Sequence, residues 1–192
     1  MRIELTGQPD GDIRLEARAR SGEGELQVRG KANLAGAQPD AQLRIEGDNI
    51  RVLDTLEAEI DASPRLDVSL NGRRIDVNGE ILVPRASIRP RQLSGSAVTT
   101  STDQVIIEDG EPAKTTADYP VYATVRFTLG DAVKFDGLGL TGLLGGSVLA
   151  VDEPGQPTRA SGELNIRNGR YRAYGQDLTI RRGRLLFAGG PL

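Results

Sequence analysis

Asp103, Glu108, Asp109 and Glu111 crowd one stretch of the chain, and two acids held about 5–10 Å apart are what a glycosidase needs. A polar loop produces the same clustering without chemistry. Gly137-Leu138-Gly139-Leu140-Thr141-Gly142 matches the dinucleotide fingerprint G-x-G-x-x-G, which is meaningful only between a strand and a helix N-terminus. Leu143-Leu144-Gly145-Gly146 follows and would open a helix badly, so these glycines are expected to serve tight curvature or close backbone approach. Arg167, Arg170, Arg172, Arg181, Arg182 and Arg184 could meet anionic headgroups or an acidic partner. Solvated strand faces explain them equally well, since of the 24 basic residues only Lys31, Lys114 and Lys134 are lysine.

Composition removes most other chemistry. The chain has no His and no Cys, which excludes Ser-His-Asp and Cys-His catalysis, imidazole bases, thiolates and the usual zinc, haem and iron-sulfur ligands. No enzyme activity, metal or cofactor is expected. Three Phe, four Tyr and no Trp cannot furnish a stacking groove for sugars or bases. A net charge of −3 offers no positive field for a polyanion, so nucleic acid is not an expected partner. Without Cys the redox compartment stays open. Met1-Arg-Ile-Glu-Leu lacks the apolar core of a signal peptide, and no apolar run reaches the roughly 20 residues that span a bilayer.

The elements that must position any site are strands. Apolar residues recur at every second position in Ile13-Leu15-Ala17-Ala19, Leu66-Val68-Leu70, Ile75-Val77, Val121-Ala123-Val125-Phe127-Leu129 and Leu178-Ile180. Polar residues fill the alternate positions, which is the period of half-buried, mainly antiparallel strands. About a dozen strands are expected, stacking to a length of about 55–60 Å. Only Ile50 to Ile60 has helical spacing, and alternation fits it almost as well. Asn71-Gly72 and Asn168-Gly169 read as two-residue hairpin turns, with Asp10-Gly11 and Asp109-Gly110 as weaker cases of a meander. Gly110 to Lys114 reads as a mobile loop.

Gly-Glu-(Leu/Ile)-x-(Val/Ile) recurs at Gly24, Gly79 and Gly162. The last two glycines keep the parity of the apolar face, where a missing side chain lets a long strand bend. Asn78-Gly79 as another hairpin turn is the alternative. No amphipathic helices exist to cover the dry face. Two sheets could pack as a sandwich, a barrel could close, or an open trough could hold an apolar guest. A lining of small aliphatics suits a flexible acyl chain, whereas an ordinary sandwich or solenoid core filled with aliphatics remains the plain alternative.

The tail carries Ala160-Ser161-Gly162-Glu163-Leu164-Asn165-Ile166, Asn168-Gly169-Arg170-Tyr171, Ala173-Tyr174-Gly175-Gln176-Asp177-Leu178-Thr179-Ile180 and Arg182-Gly183-Arg184-Leu185-Leu186-Phe187-Ala188-Gly189-Gly190-Pro191-Leu192. With Gly79-Glu80-Ile81-Leu82-Val83-Pro84-Arg85-Ala86-Ser87-Ile88 and Phe135-Asp136-Gly137-Leu138-Gly139-Leu140 upstream, residues 60–192 resemble the TamB C-terminal domain family, related to AsmA-like lipid-bridging proteins. The first 60 residues share only its texture.

The resemblance implies an all-β, taco-shaped trough with an apolar interior, over residues 1–192 as one segment excised from a longer periplasmic protein. That protein would be anchored in the inner membrane and would continue through a further segment that engages TamA in the outer membrane. The implied function is shielding phospholipid acyl chains between the membranes and supporting outer-membrane protein assembly. A chaperone that templates nascent outer-membrane or autotransporter strands is the alternative. The expected lining is Val68, Leu70, Ile75, Val77, Ile81, Val83, Val125, Phe127, Leu129, Val133, Phe135, Leu164, Ile166, Leu178 and Ile180. A charge there, as in Val125→Asp or Phe127→Arg, is expected to expel the guest and spare the fold.

Overall fold

A computed structural model of the chain describes residues 2–7, 12–33, 38–90, 119–173 and 175–191. The acids at 103–111, Asp10-Gly11, Asp109-Gly110 and the Gly110–Lys114 loop lie outside them.

The described residues form twelve strands and no helix. These are β1 (Arg2–Gly7), β2 (Asp12–Ser21), β3 (Gly24–Asn33), β4 (Asp40–Asp48), β5 (Ile50–Asp54) and β6 (Ala58–Asn71). Then follow β7 (Arg74–Ile88), β8 (Val121–Gly137), β9 (Leu140–Asp152), β10 (Arg159–Ala173), β11 (Gln176–Ile180) and β12 (Gly183–Pro191). They make one curled, mostly antiparallel sheet that does not close into a barrel, in the order β1-β2-β3-β4-β6-β7-β8-β9-β10-β11. β5 continues the line of β4 beside β6, and β12 continues β11 beside β10. The sheet is therefore ten strands wide, about 43–48 Å, shorter than a count of twelve separate strands implies.

Local chemistry places the breaks. Pro64, which cannot donate to a ladder, falls in the gap where β6 passes from β5, paired up to Ala62, to β4, paired from Arg65. The helical spacing at Ile50 to Ile60 belongs to a bulge, because Ile50 pairs with Ala62 and Leu53 with Ile60, leaving Val52 as the extra residue. Thr55 then builds the turn: its hydroxyl accepts hydrogen bonds from the amides of Glu57 and Ala58.

Two expected turns are corrected. Pairing closes at Asn71 and Arg74, so the hairpin turn is Gly72-Arg73, one residue later than expected. Asn168-Gly169 is a bulge inside β10, located where β12 hands over to β11. The meander also breaks once, since β7 and β8 pair in parallel across the long connection between them. Asn78-Gly79 is not a turn. Gly79 (φ +146°) and Gly162 (φ +140°) lie mid-strand, and a Cβ would collide with the carbonyl oxygens of Arg65 and Ser147 respectively.

Among the described residues no second layer covers the sheet. Every substantial contact between elements joins hydrogen-bonded neighbours, apart from minor contacts of β5 with β2 and β3. A sandwich core is thereby overturned. Buried apolar side chains among the described residues are Ile50, Ala62, Pro64, Ala86, Val125, Val133 and Ala160, mostly small. One charge is also withdrawn from water: Asp61 is 4% exposed, takes a hydrogen bond from Arg51 Nε and sits 3.2 Å from Arg85 Nε. Pairing on both sides is what makes such a burial tolerable.

Candidate functional site

Cross-strand register fixes which side chains share a face, because partners in a ladder point the same way. One rung runs Leu43, Val68, Val77 and Ala123, and another runs Leu66, Gly79, Val125, Ala150 and Ala160. The next are Pro64, Ile81, Phe127, Val148, Gly162 and Phe187, then Val83, Leu129, Gly146, Leu164 and Leu185. Ala86, Val133, Leu144, Ile166 and Gly183 form a further rung. Together they make one continuous apolar face interrupted by glycines.

Every residue expected to line an interior lies on this face. Val68, Leu70, Ile75, Val77, Ile81, Val83, Leu129, Phe135, Leu164, Ile166 and Ile180 are half-buried, and Phe127 and Leu178 are exposed. Val125 at 9% and Val133 at 1% are buried, which corrects one expectation: Val125→Asp would strike the fold as well as a guest. Phe127, 37% exposed, is the cleaner position.

Several lining residues escaped sequence reading. Leu144 and Val148 on β9, and Leu185 and Phe187 on β12, complete the C-terminal part of the face. Their signal was parity: Leu140, Gly142, Leu144, Gly146, Val148 and Ala150 alternate without fault, yet Leu143, Leu149 and Val151 stand on the opposite side and mask it. G-x-G-x-x-G resolves into a two-residue hairpin turn, Leu138-Gly139, between β8 and β9.

Two cavities open on the apolar face. One of about 370 Å³ is lined by Phe135, Leu140, Leu144, Leu164, Ile166, Ile180, Gly183 and Leu185, with Asn165 and Arg184. Another of about 270 Å³ is lined by Phe127, Leu129, Val148, Ala150, Ala160, Leu164 and Phe187. Nothing in these linings can act as nucleophile or base. What such linings can do is exclude water.

The opposite face is polar and ion-paired. A hollow of about 660 Å³ there lies between the row Arg14, Lys31, Gln42, Ser69 and the row Glu16, Arg29, Arg44, Asp67. Arg44 Nε sits 2.8 Å from Asp67, and Glu16 lies 3.0 Å from Arg18 and 3.5 Å from Arg29. The hydrogen bond from Arg18 holds the Glu16 carboxyl below the ordinary range. Arg74 bonds Asp76 at 2.7 Å, lowering that carboxyl likewise, and stacks 3.7 Å over the Tyr122 ring, which ties β7 to its parallel neighbour. Arg167 pairs with Asp131, and Arg170 and Arg172 share Asp177, so the C-terminal arginines sit largely in solvated ion pairs.

A family model described as the TamB C-terminal domain matches residues 14–192. The chain belongs to the TamB C-terminal domain family. That match begins well upstream of the motif-bearing stretch from residue 60. The "Translocation and assembly module subunit TamB" of Haemophilus influenzae is 27% identical over 214 aligned positions, which cover 98% of this chain and 16% of that protein. The chain thus spans about one sixth of the length of this TamB relative. No solved structure matches.

Proposed function

We propose that this TamB-family segment is a conduit that shields phospholipid acyl chains along its apolar face, in a translocation and assembly module of the bacterial envelope. On this reading it works in the periplasm, as part of a protein anchored in the inner membrane, with TamA as its outer-membrane partner. It needs no catalysis and no cofactor. The observation that carries the reading is an apolar face that no second layer covers among the described residues, hollowed by two cavities lined with aliphatics and phenyl rings.

The energetic need is large. An acyl chain of about fourteen methylenes, at about 0.8 kcal/mol each, costs about 11 kcal/mol to expose to water, and a phospholipid carries two. A trough that covers the tails and leaves the headgroup in water removes most of this barrier by burial alone. Its open side admits a lipid without unfolding.

Mass spectrometry of lipid that co-purifies with the chain tests the reading, with Phe127→Arg as the variant. A guanidinium on the wall of an apolar cavity costs a guest several kcal/mol, while Phe127 is exposed enough for the fold to survive. Wild-type protein is expected to carry phospholipid and the folded variant to carry at least tenfold less. Equal loading of the two, or none in the wild type, rejects the conduit. Crosslinking from β1 or β12 that captures unfolded β-barrel substrate, with no lipid captured from Phe127, would instead support strand templating.

A further inference from the structure

Three residues other than glycine adopt positive φ among the described residues: Asn49 (49°), Asn168 (53°) and Leu138 (53°). Asparagine tolerates this conformation and leucine does not, because its Cβ crowds the backbone. Leu138 is the first central residue of a hairpin turn whose second is Gly139 (φ 79°), the mirror-image turn that favours Asn-Gly. An amide of β10 ties the turn down, Arg172 N donating to Gly139 O at 2.8 Å. The leucine is also 65% exposed, so burial does not offset its strained backbone. Strain maintained without a packing gain points to a use outside the folded chain.

The position suggests which use. The turn terminates the rung Gly137–Leu140, and Leu140 with Phe135 lines the larger apolar cavity. On the same rim of the sheet the Thr55-built turn presents Leu56, 85% exposed, with its backbone fixed by the bond from Arg89 N to Glu57 O at 2.7 Å. Two hydrogen-bonded turns therefore hold strongly exposed aliphatic side chains outward on one rim of the sheet.

We propose that this rim rests on a phospholipid bilayer, with Leu138 and Leu56 dipping into its surface, and that acyl chains cross here sideways into the cavity beneath. The inference rests on the conduit reading. Together with the exposed Val52 and Leu53 near Leu56, and Tyr171 and Leu178 near the Leu138 turn, the two leucines make a scattered apolar fringe without the packed core of a protein interface. Shallow insertion into lipid needs no fitted partner. With a net charge of −3 the chain is not drawn to anionic lipid electrostatically, so contact should persist in high salt.

The absence of cysteine allows a clean test. An environment-sensitive dye on Leu138→Cys is expected to shift to the blue on adding mixed phosphatidylethanolamine and phosphatidylglycerol vesicles, at low and high salt. The same dye on Leu186→Cys, an exposed position on the other face, is expected not to shift. Leu138→Asn should raise Tm by about 2–4 °C by relieving the turn, yet slow lipid uptake from the vesicles by about tenfold with the final load unchanged. An unchanged rate, a lowered final load, or equal shifts at both dye positions would overturn the proposal. A shift confined to position 138 in a protein that takes up no lipid would uphold the membrane contact and reject the conduit.

Discussion

Strands β2 to β6 and strands β8 to β12 share one alternation of apolar and polar residues, and both carry a hollow on the polar face, but only the second region is also hollowed on its dry side. In the first region the large hollow is on the polar face, floored by backbone between rows of paired charges. In the second, a hollow of about 440 Å³ lies on the polar face beside Ser87, Lys134 and Thr141, and two cavities open on the apolar face as well. Alternation chooses which residues are dry, and backbone conformation chooses where the dry side is hollow. Glycines with positive φ occur mid-strand in β7, β9 and β10, whereas Gly30 and Gly47 in β3 and β4 are not in that region.

Replacing a bend glycine should break this contrast most severely. Gly162→Ala places a Cβ against the Ser147 carbonyl oxygen at a φ of +140°, so about 3 kcal/mol or more should be lost in urea unfolding. At Gly47 a Cβ would meet Leu26 Cδ1 at 3.1 Å, which can swing away, and the Pro64 ring at 3.0 Å, which must shift slightly, so Gly47→Ala should cost about 1 kcal/mol. Equal losses at the two sites would mean that curvature is not concentrated in the C-terminal strands.

A smaller difference is expected from truncating the lining. Val133, 1% exposed, is the largest fully buried side chain among the described residues, and Val133→Ala should cost about 2 kcal/mol. Val68 is half-buried on the shallower stretch, so Val68→Ala should cost about 1 kcal/mol or less by the same measurement. A reversed order would place the packed part of the sheet in the wrong half.

The same contrast shows what could be read from the chain alone. Period-two spacing at Leu66 to Leu70 and Val121 to Leu129 placed strands and their dry faces, because a side chain's face depends only on parity. Gly79 and Gly162 were legible as mid-strand glycines on the dry face for the same reason, as both hold an apolar parity with no side chain to show. Register slips were not legible. The bulges at Val52 and Asn168 shift parity locally, and one looked like a helix while the other looked like a turn. The parallel pairing of β7 with β8 depends on a tertiary choice that no local spacing encodes. Burial along the lining was hidden too, since Val125 and Val68 are the same residue in the same pattern.

The smallest effect expected is electrostatic, and it belongs to the polar face. Glu16 is held below its ordinary carboxyl range by hydrogen bonding to Arg18, and Asp76 by hydrogen bonding to Arg74. A carboxyl whose folded pKa is lowered adds stability above its unfolded value and loses it as pH falls through the folded one. Stability should therefore hold from pH 7 down to the ordinary carboxylate range and decline below it. Glu16 is exposed and Asp76 still 23% exposed, and water screens such pairs, so each single contribution must be small. Glu16→Gln should flatten the acid limb of a Tm-against-pH curve slightly and leave Tm at neutral pH almost unchanged. Asp76→Asn should do the same with a somewhat larger neutral-pH loss, because Arg74 also stacks on Tyr122 where the parallel strand is secured. A large neutral-pH loss from either would show that the polar face, and not the bent apolar one, holds the sheet in shape.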